Sequence, residues 1–200
     1  RALRLHHHPV GWEEPFLNPA IYDMISYAKR KAIKLILSTN GHVFAYGDHG
    51  ERLVPSGLNS LIFSVDGTSE ETYERYREGG DLATVLTGIR RVVEAKCARP
   101  STTPLIDLRF IVVRHNEREI PKLPGFARSL GVDALTLRTL HTYDDGKCCV
   151  TTPDGGTLLP ASPDYQPYKA DPRDQSRIRR PRNPCKALLN NLAIHYDGKV

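Results

Sequence analysis

Two short apolar runs in this chain close on small polar residues of the kind that hold a ligand. Residues 33–37 end in Ser38, Thr39, Asn40 and Gly41, and residues 61–67 read Leu-Ile-Phe-Ser-Val-Asp-Gly, with Ser64 and Asp66 at the closing end. Hydroxyl, amide and carboxylate groups at strand ends can hold ribose hydroxyls, ammonium groups or carboxylates, and a strand scaffold fixes them to the tolerance that chemistry requires. Asp66 has two readings, a ligand contact or a cap for the helix that begins near Ser69. Taken alone, residues 61–67 fit a plain strand end followed by a helix cap better than a ligand site. Other chemistry-bearing residues are less promising. His6, His7 and His8 are consecutive, so in an extended segment they point to alternate faces and converge poorly on one ion. The four cysteines, Cys97, Cys148, Cys149 and Cys185, share no regular spacing and propose no disulfide scaffold.

The elements that must position these residues alternate. A strand remnant at residues 2–5 leads through a loop with two prolines to a helix over residues 20–31, where Ile21, Met24, Ile25 and Ala28 recur at helical spacing. Strands follow at residues 33–37 and 61–65, separated by a stretch that Gly47, Gly50, Pro55 and Gly57 interrupt. Ser69 or Thr68 caps a short helix through Tyr76, Gly79 and Gly80 break it, and Asp81 caps a helix over residues 82–96. A strand at 105–113 with alternation at its start, a proline-interrupted helical segment at 116–130 and a strand at 134–140 complete the pattern. Strands and helices in alternation predict an α/β fold with a parallel sheet or barrel, and such folds place their sites at the carboxyl ends of the strands. From residue 141 to 184 the periodicity is lost to Pro, Gly, Asp and Arg, as in a long loop or linker; residues 188–195 then read as a strand, or a short helix followed by a strand, before the turn signal Asp197-Gly198.

Composition narrows the classes. Two hundred residues bury a sizeable core, and no apolar run approaches the roughly 18 residues of a membrane span. No secretory signal is present in this sequence, so the expected location is cytoplasmic with no membrane partner. Much of the net charge of +5 sits in Arg173, Arg177, Arg179, Arg180 and Arg182. No aromatic interleaving accompanies them, which argues for a solvated linker over a nucleic-acid partner.

The order of these loops resembles that of radical S-adenosylmethionine (SAM) enzymes carrying a C-terminal SPASM extension. Glu14-Pro15 is similar to the end of the family's Gly-Gly-Glu-Pro loop after the second barrel strand, Ser38 to Gly41 to the loop after the third, and Ser64 to Gly67 to that after the fourth. Arg77 resembles the arginine that, with a serine such as Ser64, holds the methionyl carboxylate. The resemblance implies a partial (β/α)6 TIM-like barrel over residues 1–140, its first strand missing and its second to sixth present. A linker over 141–183 and the start of a SPASM iron-sulfur domain over 184–200 would follow, the whole truncated at both ends. It also implies S-adenosyl-L-methionine as cofactor, bound by Glu14, Ser38, Asn40, Ser64, Asp66 and Arg77. A zwitterionic amino acid needs an anionic partner for its ammonium and a donor-rich cation for its carboxylate, and Glu14 and Arg77 supply these two ends. Cys185, ahead of a strand and the Asp197-Gly198 turn, is the candidate metal ligand for an auxiliary [4Fe-4S] cluster, with a free buried thiol as its alternative.

Two departures stand out. The family's Cys-x-x-x-Cys-x-x-Cys loop, whose thiolates leave one iron of a [4Fe-4S] cluster open for the cofactor, has no counterpart among the four cysteines, so those ligands are expected outside this chain. Glu13 stands where the pattern has glycine, adding bulk and charge beside Glu14. The expected function is that of a piece of an oxidoreductase that reductively cleaves SAM to a 5'-deoxyadenosyl radical for hydrogen abstraction, with a peptide or protein as substrate and flavodoxin or ferredoxin as electron donor. By itself the piece is expected to be inactive. The competing function is a cluster-less, barrel-like binding or scaffold protein; an ordinary TIM-barrel enzyme lacks support because no late glycine-rich phosphate loop is seen.

Overall fold

The computed structural model describes residues 4–6, 14–99, 101–140, 157–166, 168–170, 177–179 and 191–192. Its main body is a parallel sheet built from β1 (Arg4–His6), β2 (Lys34–Thr39), β3 (Ser60–Ser64), β4 (Leu105–Val112) and β5 (Ala134–Thr139). Connecting helices are α1 (Ile21–Arg30), α2 (His49–Ser56), α3 (Glu70–Glu74), α4 (Leu82–Cys97) and α5 (Leu123–Leu130). Strands β6 (Tyr168–Ala170) and β7 (Arg177–Arg179) form a separate antiparallel pair, and β8 (Asn191–Leu192) lies parallel to β1 at the sheet edge, giving the order β5-β4-β3-β2-β1-β8. This is the parallel α/β sheet that the alternation predicts, and it is consistent with the partial TIM-like barrel that the resemblance implies. Among the described residues no helix is long and apolar enough to cross a membrane.

The pleat divides the sheet into two unlike faces. Leu35 and Leu37 of β2, Leu61 and Phe63 of β3, and Ile106 and Leu108 of β4 share one core with Ile21 and Ile25 of α1, Leu53 of α2, Val85, Ile89 and Val92 of α4, and Leu130 of α5. Removing each such side chain from water contributes about 1.5–3 kcal/mol, so this face holds the body together. The opposite face follows from the pairing register, which sets Ser38 beside Ile62 and Asp107, and Ser64 beside Arg109 and Thr136. Side chains alternate strictly along a strand, so these residues share the face that the helices leave open. The apolar run 61–65 is therefore buried as a parallel strand should be, while Ser64 at its end is only half-buried.

Differences from the sequence-based expectation have local causes. The interrupted stretch before β3 forms a 3-10 turn (His42–Ala45) and α2, which holds Pro55 in its last turn and ends on Gly57 at a positive φ. Phe44 and Leu53, both fully buried, outweigh the breakers. Asp81 caps α4 as expected, its carboxylate accepting from Thr84 N–H and Oγ1.

Two glycines bring the loop after β2 down onto α4. Gly41 has φ 90°, and a Cβ on Gly88 of α4 would stand 2.5 Å from the Gly41 carbonyl oxygen and 3.1 Å from Phe44 Cβ. Gly88→Ala should therefore cost about 1–3 kcal/mol by overpacking. Gly125→Ala in α5, where nothing lies within 4 Å, should instead gain about 0.5–1 kcal/mol from helix propensity. Urea unfolding midpoints of the two variants, moving in opposite directions, check both.

Candidate functional site

Glu14 is the first described residue after β1, and its carboxylate binds the end of the next strand. Oε1 accepts from Thr39 Oγ1 at 2.8 Å, Oε2 accepts from Asn40 N–H at 2.7 Å, and Oε1 also accepts from Phe16 N–H at 3.3 Å, capping the short turn Pro15–Leu17. The Thr39 hydroxyl in turn accepts from Gly41 N–H at 3.0 Å. Burial pushes the Glu14 carboxyl above the ordinary glutamate value, and the Asn40 N–H and Thr39 hydroxyl pull it partly back. Thr39, to which the resemblance gave no role in cofactor binding, fixes Glu14 from the core face of β2.

One strand over, Ser38 Oγ and Ser64 Oγ lie 3.4 Å apart on the open face. Both are half-buried, so each hydroxyl keeps a side that a ligand can reach. Asn40 is exposed at the end of β2, where its Oδ1 accepts from His42 N–H at 3.1 Å.

The end of β3 is built around Asp66. Its carboxylate is fully buried; Oδ2 accepts from Arg77 Nε at 2.7 Å and lies 2.6 Å from Arg77 Nη2, while Oδ1 accepts from Ile111 N–H at 2.6 Å. The α3 cap is Ser69, whose Oγ accepts from Thr72 N–H, so the helix-cap role falls to Ser69 and Asp66 is committed to Arg77 and β4. Asn116, also fully buried, donates to the carbonyls of Asp66 and Ile111, both at 2.9 Å, and accepts from Val113 N–H at 2.8 Å. Burial raises the Asp66 pKa, with the Arg77 guanidinium opposing, and Asp66 holds Arg77 in its charged form by raising its pKa in return. The Arg77 side chain keeps 30% of its surface exposed, leaving one edge of the guanidinium for a second anion. Gly67 lets this turn close: a Cβ there would lie 2.6 Å from Tyr73 Cα.

The structure thus carries Ser38, Asn40, Ser64 and Asp66 at the carboxyl ends of β2 and β3, Glu14 on the loop entering α1, and Arg77 in the connection between α3 and α4. Glu14 meets Asn40, Ser38 meets Ser64, and Asp66 meets Arg77. Glu13, Cys148, Cys149 and Cys185 lie outside the described residues. Among the described residues no group of three His, Cys, Asp or Glu side chains could hold a metal ion. Asp107 and Arg109 on the open face of β4 were also missed, although alternation with Ile106, Leu108 and Phe110 placed them together there.

The family model of the Radical SAM superfamily matches residues 3–122. Over 123 residues the chain is 30% identical to the "Probable GTP 3',8-cyclase" of Methanocaldococcus jannaschii, covering 61% of this chain and 39% of that protein. The chain therefore spans about two fifths of the length of that curated relative. Among solved structures, native anSMEcpe with bound AdoMet superposes with a TM-score of 0.52 at 15% identity, over 72% of this chain and 39% of that one. SuiB of Streptococcus suis bound to precursor peptide SuiA gives 0.50 at 14% identity, over 62% of this chain and 26% of that one. At such identities these two likenesses concern the fold.

Removing the Asp66 carboxylate strands the Arg77 guanidinium and the Ile111 N–H. Asp66→Ala should lose about 3–5 kcal/mol, whereas Asp66→Ala combined with Arg77→Met should recover part of that loss because no lone charge remains. Urea unfolding of the single and double variants measures the difference.

Proposed function

The chain belongs to the radical SAM superfamily, a family of enzymes, and from that membership we propose that the strand ends of this sheet bind S-adenosyl-L-methionine. Glu14 takes the methionyl ammonium and Arg77, with Ser64, takes the carboxylate. Ser38 and Asn40 serve the ribose hydroxyls, and Asp66 acts through Arg77 as a positioning residue. The observation that carries this reading is the paired arrangement of opposite charges, each held by its own anchor. Thr39 and Asn40 fix Glu14, and the buried Asp66 fixes Arg77 with an edge left open. A ligand that is itself a zwitterion finds both partners prepared, which lowers the ordering cost of binding.

Held by Glu14, Arg77, Ser64, Ser38 and Asn40, S-adenosylmethionine would supply, on one-electron reductive cleavage of its C5'–S bond with methionine as the other product, a 5'-deoxyadenosyl radical for hydrogen abstraction. The cysteines of this chain do not fit such a cluster, since positions 97, 148, 149 and 185 contain no Cys-x-x-x-Cys-x-x-Cys spacing. No step through a cluster is therefore assigned to these residues, and turnover is proposed for a protein that supplies those thiolates elsewhere. Within the same reading, Cys185 is a ligand of an auxiliary SPASM cluster, the substrate is a peptide or protein, and a flavodoxin or ferredoxin delivers the electron. SuiB, which shares the fold, is described with a precursor peptide bound.

Isothermal titration of S-adenosylmethionine into the 200-residue chain tests the binding claim. Saturable binding is expected, with Glu14→Gln and Arg77→Lys each weakening it about tenfold, the worth of one charge-assisted contact; heat no different from buffer would refute it. Binding the ammonium requires Glu14 as carboxylate. Because burial raises its pKa from 4.5, affinity should fall on acidification before an ordinary glutamate would protonate. The Glu14→Gln variant should lack that pH dependence. Anaerobic reconstitution of the chain with iron and sulfide should yield no 5'-deoxyadenosine, and its appearance would show that the cluster assignment is wrong.

A further inference from the structure

We propose that the open face of the sheet beside Ser64 carries a substrate-anchoring site for an oxyanion, a carboxylate or phosphate group, formed by Arg109 and Arg138 with Asp107 at its floor. This deepens the proposed function and rests on it in taking that face as where a substrate meets the bound cofactor.

The register builds the site. Ser64 pairs with Arg109 and Arg109 with Thr136, while Arg138 pairs with Ile111, two residues on from Arg109. Residues two apart on a strand share a face, so Ser38, Ser64, Arg109 and Arg138 form a polar stripe that climbs toward the carboxyl ends of the strands from β2 to β5. At one end of the stripe stand the two serines of the candidate cofactor site; at the other stand two guanidinium groups on neighbouring strands. Like charges so placed on a sheet repel, and an anion that joins both guanidinium groups relieves that repulsion.

Among the described residues, local pairing meets this charge only loosely. Asp107 is the acidic side chain nearest Arg109 on the face, and its Oδ2 stands 3.8 Å from Arg109 Nη2, too far for a hydrogen bond. Among the described residues, Asp107 Oδ1 and Arg109 Nε are the buried side-chain polar atoms without a partner. Leaving both a donor and an acceptor unsatisfied two residues apart is costly, and structures keep few such atoms. The Arg109 side chain is 26% exposed and Arg138 is exposed, so an incoming oxyanion can reach both. Hydrogen phosphate would accept from the guanidinium groups and donate to Asp107 Oδ1, and a carboxylate would accept from the guanidinium groups alone. Burial and then the neighbouring Arg138 lower the Arg109 pKa, with Asp107 and Asp66 opposing.

Titration of the 15N-labelled 200-residue chain with inorganic phosphate and, separately, with acetate tests the site through the arginine Nε–H resonances. Saturable shifts at Arg109 and Arg138 are expected, any response of Arg77 reporting the separate cofactor-carboxylate position, with Arg138→Gln weakening the phosphate or acetate affinity at Arg109 about tenfold. Arg128→Gln, on the far side of the sheet in α5, should leave it unchanged. Saturation by phosphate alone assigns a phosphate group and saturation by acetate alone a carboxylate. Shifts that grow linearly and alike across all arginines, or an affinity unaltered by Arg138→Gln, overturn the proposal. Oxyanion binding in a chain that fails to bind S-adenosylmethionine would leave this site standing and remove the cofactor reading. Cofactor binding without any oxyanion response would do the reverse.

Discussion

The buried carboxylate of Asp66 is the contact on which the rest of the site depends. It sits just past the end of β3, has no exposure to water, and is satisfied by Arg77 on one oxygen and the backbone of β4 on the other. A carboxylate in that position is tolerable only when every lone pair has a donor, and the chain supplies donors from two directions. In doing so it ties the loop after β3 to the neighbouring strand and fixes a guanidinium whose other edge faces outward. Asn116 bridges the same two segments through their carbonyls, so the turn is clamped from both its backbone and its side chain.

Behind that clamp the sheet is two materials back to back. One face is an apolar core with α1, α2, α4 and α5, densely packed where Gly88 meets the Gly41 carbonyl. The other carries serines, an aspartate and arginines in register across β2 to β5. Rigidity from the first face is what allows the second to hold charged groups at fixed separations without letting them collapse onto one another.

Much of this arrangement was readable in the sequence because its signals are local. The apolar runs ending in Ser38 and Ser64, the caps at Ser69 and Asp81, and the helical spacing of residues 82–96 each encode an element by themselves. The resemblance to radical SAM enzymes was likewise carried by short loops, and the family match over residues 3–122 meets it. What escaped was set by contacts distant in sequence. Whether Asp66 caps a helix or receives Arg77 depends on where β4 lies, 45 residues on at Ile111. Thr39 gains its role only when Glu14 arrives from 25 residues away. The stretch before β3 formed α2 despite its glycines and Pro55 because Phe44 and Leu53 are buried there, a tertiary gain that local propensity does not report.

The central claim is that two opposite charges, each anchored by its own partner, recognise the two ends of a zwitterionic amino-acid cofactor. A crystal structure of the chain with S-adenosylmethionine tests it most directly. The account predicts the methionyl ammonium within hydrogen-bonding distance of Glu14 and the carboxylate against the open edge of Arg77 and Ser64, with the Asp66–Arg77 pair intact. A methionyl group bound elsewhere, or Arg77 withdrawn from Asp66 to reach it, would contradict the account.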